Sequence, residues 1–168
     1  RAVTDPEVLA MAEVCVIGDT AALERARDIV GASFDIVTFK PGAPLPAAPS
    51  GSVLCADPGL DVGDLPYGKV DARAGDAAYR FLKAAVEMAQ AGQIHAIATA
   101  PLNKEALHAG GHHYPGHTEI LADLTETETY SMILATPKMK VIHLTTHVGL
   151  IEAIRRIDPE RTYQVVKL

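Results

Sequence analysis

Short apolar runs alternating with amphipathic helical stretches constrain this chain more than any other feature, because parallel strands need a crossover, usually a helix, between them. "EVCVIGD" is a strand leaving into a turn at Gly18-Asp19, and "TAALERARDIVG" follows as a helix capped by Thr20 and closed by Gly31. "FDIVTF" and "SVLCA" are the next two strands. The "KPGAPLPAAPSG" between them is a loop rather than a domain linker, since an apolar strand resumes at once. The strongest helix is predicted over residues 76 to 91, capped by Asp76 and ended by Gly92, with Ala78, Phe81, Leu82, Ala85, Val86 and Ala89 as its apolar stripe. "IHAIATAP" then reads as a strand buried on both faces, which makes His95 a core or sheet-face histidine. "YSMILA" and "MKVIHLTT", joined by "TPK", read as a tight antiparallel pair that contains His143. The predicted class is α/β, a mostly parallel sheet with one antiparallel pair.

Composition narrows the function classes. With 168 residues and 48% hydrophobic content, the chain has the size of one ordinary domain and enough apolar residues for a sizeable core. A formal charge of -6 with no basic run points away from nucleic acid and from anionic membranes, both of which call for clustered Lys and Arg. A small anionic substrate stays compatible, because a few local positive groups can serve it. No stretch approaches the ~18 apolar residues of a spanning helix and no charged-then-apolar leader opens the chain, so the expected location is the cytoplasm. Cys15 and Cys55 lie in separate apolar runs without a CxxC pair and are read as buried, reduced thiols. Both ends look cut. Thr4 or Asp5 and Pro6 start a helix almost at once, and Asp158-Pro159 opens a final helix that halts about two turns later without a stop signal. The expectation is a piece of a longer polypeptide.

Ligands of parallel α/β folds collect beyond the carboxyl ends of the strands, which singles out "TAPLNKE", "YPGHTE" and "TTH". Four of the chain's seven histidines fall between positions 108 and 117. Pro115 and Gly116 prevent a continuous helix through His113 and His117, so their spacing does not make a zinc pair on one helix face. His117 and Thr118 instead stand at a helix N-terminus, where free N–H groups and the helix dipole favour an anion and the two side chains add directed donors. The other reading makes Thr118 a plain cap and His117 a surface residue. His108, His112 and His113 are read as a solvated loop among glycines. His147, at the end of "VIHLTTH", is a natural ligand for zinc or another divalent ion, although one imidazole does not make a site. Lys104 can meet a phosphate or carboxylate, or stand solvated in the first turn of a helix.

Together, "ATAPLNKEALHAGGHHYPGHTEILADLT" and the later "VIHLTTHVGL" resemble the 4-hydroxythreonine-4-phosphate dehydrogenase family of the pyridoxal phosphate biosynthetic route, including its relatives that act on other phosphorylated hydroxy acids. The likeness runs from "VCVIGD" to the final helix and is most specific in the P-x-N-K, G-H-T-E and T-T-H segments. It implies a fold like that of isocitrate and isopropylmalate dehydrogenases: two α/β lobes, a cleft between them, and a homodimer. Residues 1 to 168 would then be the N-terminal portion of such a protein, truncated at both ends. His117 and Thr118 match the family's substrate-contacting pair. His147 matches the first of three histidines that hold a divalent metal (zinc, magnesium, cobalt or manganese), the other two lying in a C-terminal half that this sequence does not carry. The implied activity is NAD- or NADP-linked, metal-dependent oxidation of a secondary hydroxyl in a phosphorylated hydroxy acid such as 4-phosphohydroxythreonine, with or without decarboxylation, and the chain alone is expected to be inactive. The family binds its nicotinamide cofactor without a G-x-G-x-x-G fingerprint, and none occurs here. Two other readings stand beside it: a metal-dependent hydrolase using the same histidines, with Glu119 as its base, and a non-catalytic binding domain.

Overall fold

The computed structural model describes residues 2–168, which form two compact units, the first ending at Leu121 and the second spanning Ala122–Leu168. Helix α1 (Pro6–Met11) opens the first unit, with Pro6 in its first turn and the Asp5 carboxylate accepting from the Glu7 N–H at 2.9 Å. Strand β1 (Cys15–Ile17), helix α2 (Thr20–Ile29), and strands β2 (Asp35–Phe39) and β3 (Ser52–Ala56) follow. The three strands are parallel in the order β1-β3-β2, with Val16 opposite Cys55 and Val37 opposite Leu54. As the central strand, β3 carries the best-buried positions, Val53, Cys55 and Ala56. Both thiols are free; burial pushes the Cys55 thiol up to about 11 and raises that of Cys15 as well, in keeping with unreactive reduced cysteines.

Two predicted helix starts shift. The cap of α2 is Asp19, not Thr20: its carboxylate accepts from the Ala22 N–H at 2.7 Å, while the Thr20 hydroxyl is engaged with Thr38 Oγ1 at 3.1 Å. A carboxylate at the positive end of a helix is the stronger acceptor of the two. Gly31, at φ +62°, lies past the helix end as expected. Helix α3 runs Ala72–Gln90 from an Asp71 cap, so Asp76 sits one turn inside it. Its buried face comprises Gly75, Ala77, Leu82, Ala84, Ala85, Val86 and Met88, whereas Ala78, Phe81 and Ala89 of the predicted stripe are only half-buried. The face is broader than one stripe because α3 packs on both β1 and the next helix, α4 (Lys104–Ala109).

The strand predicted in the run 94 to 101 does not form, and His95 is exposed rather than in a core. Among the described residues no strand pairs with this run, and an apolar segment becomes a strand only when a neighbour satisfies its backbone groups. Helix α5 (His117–Leu124) begins in the first unit, with Ile120 fully buried.

In the second unit, β4 (Ile133–Ala135) and β5 (Lys140–Ile142) form the predicted antiparallel pair, with Leu134 opposite Val141. The Thr136 hydroxyl closes the turn by accepting from the N–H groups of Lys138 and Met139. Helices α6 (Leu150–Arg155) and α7 (Pro159–Lys167) complete the unit. Asp158 caps α7 as the sequence predicts, accepting from the Arg161 N–H at 2.8 Å. Among the described residues no helix is long and apolar enough to cross a membrane.

Candidate functional site

The carboxyl edge of the parallel sheet, the first place to look for a ligand, is filled by the chain itself. Asp57, just beyond β3, accepts from the Thr20 N–H at 2.9 Å and from the Gly59 N–H at 2.7 Å. Asp19, the only buried charged residue among those described, accepts from Val62 N–H at 3.2 Å in addition to capping α2. Partial burial pushes the Asp57 carboxyl up, but the hydrogen bonds from the side chain and backbone of Thr20 and from Gly59 outweigh it and hold the group below its ordinary range. The N-terminus of α2, where a dinucleotide phosphate would settle in many α/β folds, therefore already has two carboxylates.

The helix N-termini of the "PLNKE" and "YPGHTE" segments differ. Asn103 caps α4, its side-chain oxygen accepting from Ala106 N–H at 2.9 Å, and Ala106 and Leu107 are buried. Lys104, at the first position, is exposed and forms no ion pair among the described residues. At α5 the preceding residue is Gly116, whose carbonyl accepts from Ile120 N–H at 3.3 Å and which has no side chain with which to cap the first turn. His117, Thr118 and Glu119 make up that turn and are all half-buried. No helix passes through His113 and His117, as Pro115 and Gly116 predict. One oxygen of Glu119 is buried without a hydrogen-bond partner among the described residues. A donor arriving from outside the chain would satisfy it.

The histidine-rich loop is not uniformly solvated. His112 is largely buried, its side chain 21% exposed, with Nε2 2.9 Å from an Asp76 oxygen while Arg80 Nε holds the other oxygen at 2.8 Å. Its ring stacks on Tyr79 with centroids 3.9 Å apart. The hydrogen bond from His112 lowers the Asp76 carboxyl; modest burial works against it, and Arg80 adds to the lowering. This corrects the solvated-loop expectation, which missed a partner 36 positions away in sequence. His113 is exposed, and His108, also exposed, places Nε2 3.1 Å from the Tyr114 carbonyl.

In the second unit, His143 is half-buried just past β5 and bonded through both its backbone N–H and Nδ1 to the Met132 carbonyl, each at 3.0 Å. His147 is exposed and has left-handed backbone geometry, φ +57°. Among the described residues no three His, Cys, Asp or Glu side chains gather into a metal-binding group. Lys104, His117 and Thr118 lie in the first unit and His147 in the second.

The profile of the pyridoxal phosphate biosynthetic protein PdxA family matches residues 10–168. The chain is 49% identical over 160 residues to the D-threonate 4-phosphate dehydrogenase of Cupriavidus necator, covering 95% of this chain and 47% of that protein. It is 33% identical over 168 residues to the 4-hydroxythreonine-4-phosphate dehydrogenase of Trichlorobacter lovleyi, covering 99% of this chain and 50% of that protein. The crystal structure of a 4-hydroxythreonine-4-phosphate dehydrogenase from Burkholderia phymatum superposes with a TM-score of 0.88 at 49% identity, over 99% of this chain and 50% of that one. The chain thus spans about half the length of the curated relatives it matches.

Proposed function

The chain belongs to the pyridoxal phosphate biosynthetic protein PdxA family, and from that premise we propose that it serves a dehydrogenase which oxidises a secondary hydroxyl of a small phosphorylated hydroxy acid. The observation that carries the reading is the first turn of α5. Gly116, which precedes it, has no side chain with which to cap the turn, and His117, Thr118 and the acidic Glu119 make it up. In the proposal an anionic group of the substrate settles there, favoured by the helix dipole, while the imidazole and hydroxyl fix its orientation. Lys104, exposed at the start of α4, is a second contact for a phosphate or carboxylate.

D-threonate 4-phosphate is favoured over 4-phosphohydroxythreonine on the curated relatives, where those named for it reach 51% identity over 170 residues and 49% over 160 against 33% over 168 for the Trichlorobacter lovleyi relative, while the Burkholderia phymatum structure named for the second compound stands at 49%. The two compounds differ at carbon 2, a hydroxyl in one and an amino group in the other. Oxidation of the carbon 3 hydroxyl delivers a hydride to NAD or NADP and releases a proton. The product is a 3-keto acid, a class that readily loses carbon dioxide. The proposal includes a divalent ion with His147 as one ligand; since the described residues do not complete its shell, no step is assigned to it. A two-lobed architecture like that of isocitrate and isopropylmalate dehydrogenases, a homodimer and a cytoplasmic location belong to the same reading.

The test is to follow nicotinamide reduction by the intact enzyme with each phosphorylated acid, with NAD and NADP in parallel. Turnover that favours D-threonate 4-phosphate supports the proposal. Absence of nicotinamide reduction with either substrate, in the presence of zinc, magnesium, cobalt or manganese, rejects it.

A further inference from the structure

We infer that His112 is a positioning residue of this site: through Asp76 and Tyr79 it fastens the loop 110–116 to α3, and thereby sets where His117 and Thr118 stand. The inference rests on reading those two residues as substrate contacts. The loop, "GGHHYPG", contains three glycines, and such a segment has no rigidity of its own. Its order comes from its fastenings. Two backbone bonds tie its start to α4, from Gly110 N–H to the Ala106 carbonyl at 2.8 Å and from His112 N–H to the Leu107 carbonyl at 3.1 Å. The His112 side chain then crosses to α3 and bonds Asp76. Arg80 holds the second Asp76 oxygen, so the carboxylate is fixed from both sides before it receives the imidazole.

Aromatic packing reinforces the same anchor. Tyr79 stacks with His112 at 3.9 Å and 15°, and with Tyr114 at 5.9 Å and 13°. His108 reaches the Tyr114 carbonyl from α4. Past Tyr114 only Pro115 and Gly116 precede His117, a reach of at most about 10 Å, and the proline ring stiffens part of that link. With so short a link, a displacement at 112 to 114 reaches the first turn of α5 in part, Gly116 absorbing the rest. Nothing places reacting atoms against the His112 ring, which is given over to Asp76 and Tyr79. Its part is to locate others.

Three substitutions in the intact enzyme test this. Gln carries a donor near the position of imidazole Nε2, Asn carries one near Nδ1, and Leu carries none. His112→Gln is expected to keep KM within about threefold of wild type, while His112→Leu and His112→Asn raise it about tenfold or more with a smaller change in kcat, as befits a lost charge-assisted hydrogen bond that acts on binding. Amide exchange of residues 116 to 119 should quicken about tenfold in the Leu and Asn variants, stay near wild type in Gln, and remain unchanged in β1 to β3. Equal behaviour of Gln and Asn overturns the inference, as does wild-type KM and exchange in Leu. Because Gln and Asn differ in where the donor sits, their comparison decides the matter even if the Leu variant does not fold. His117→Ala, run alongside, separates the two layers. An unchanged KM there rejects the substrate reading, whereas an impaired His117→Ala beside a normal His112→Asn rejects only the role of His112.

Discussion

Gly75 of α3 lies so close to Ala106 of α4 that a Cβ placed on it would fall 1.8 Å from the Ala106 carbonyl oxygen. The obstacle is backbone, so relief requires the two helices to separate. Gly75→Ala is expected to destabilise the protein by more than about 2 kcal/mol despite the better helix propensity of alanine. Gly149→Ala is the control: a Cβ there meets nothing within 4 Å, and the cost should stay below about 1 kcal/mol. Urea unfolding of both variants checks the contrast.

Acid should loosen the protein through Asp57 and Asp76, whose carboxyls are both held below the ordinary value of 3.8. A depressed native value means that the unfolded chain takes up the proton more readily. The stabilisation is thus present in full above 3.8 and is lost as pH falls through the native values. Asp57→Asn should be less stable than wild type at neutral pH, with the gap closing in acid. A gap that stays constant down to strongly acid pH counts against this account of the edge of the sheet.

The two candidate histidines should fail in different ways. In the intact enzyme, His147→Ala is expected to weaken divalent-metal affinity by about an order of magnitude or more, with partial rescue by added metal. His117→Ala and Thr118→Ala should leave metal affinity nearly unchanged while lowering kcat/KM roughly tenfold to a hundredfold. The 168-residue chain by itself should bind metal weakly and show no dehydrogenase turnover, since among the described residues no group of three or more His, Cys, Asp or Glu side chains gathers to hold an ion. Calorimetric metal titration beside steady-state kinetics reads all of these. Loss of metal binding in His117→Ala with none in His147→Ala would reverse the assignments.

The hairpin of the second unit should lie near a subunit interface. Ile133, Leu134, Met139 and Val141 are 41–62% exposed on a two-stranded sheet whose edges are unpaired among the described residues. Such a surface favours association. Sedimentation of the intact enzyme is expected to show a dimer, with Leu134→Glu weakening it about tenfold or more. A fully active monomer at micromolar concentration would be incompatible with the idea.

What could be read from the sequence was whatever depends on near neighbours. The strands β1, β2 and β3, the hairpin, the Asp158 cap and the start of α5 all follow from local periodicity, turn residues and caps, and all are present. The misreadings involve distant partners. Thr20 was an equally good cap by type, but Thr38 engages its hydroxyl and leaves the role to Asp19. The run at 94 to 101 has the composition of a buried strand and lacks a partner. His112 looked solvated among its glycines because nothing nearby in sequence announces Asp76; only the Asp76–Arg80 spacing hinted that this face of α3 was occupied. At the candidate site, the helix start at G-H-T-E could be read, but not the contact of His112 with Asp76 that precedes it.

Asp19 and Asp57 bear on how a protein of this kind can diversify. By closing the ends of β1 and β3 onto α2, they make that margin of the sheet a sealed joint, with its donors already spoken for. On the proposed reading, recognition falls to the segment between α4 and α5, outside that joint. Substitutions there are then expected to retune which acid is accepted while the joint, and the sheet it locks, go on unaltered, so that scaffold and selectivity would be inherited separately.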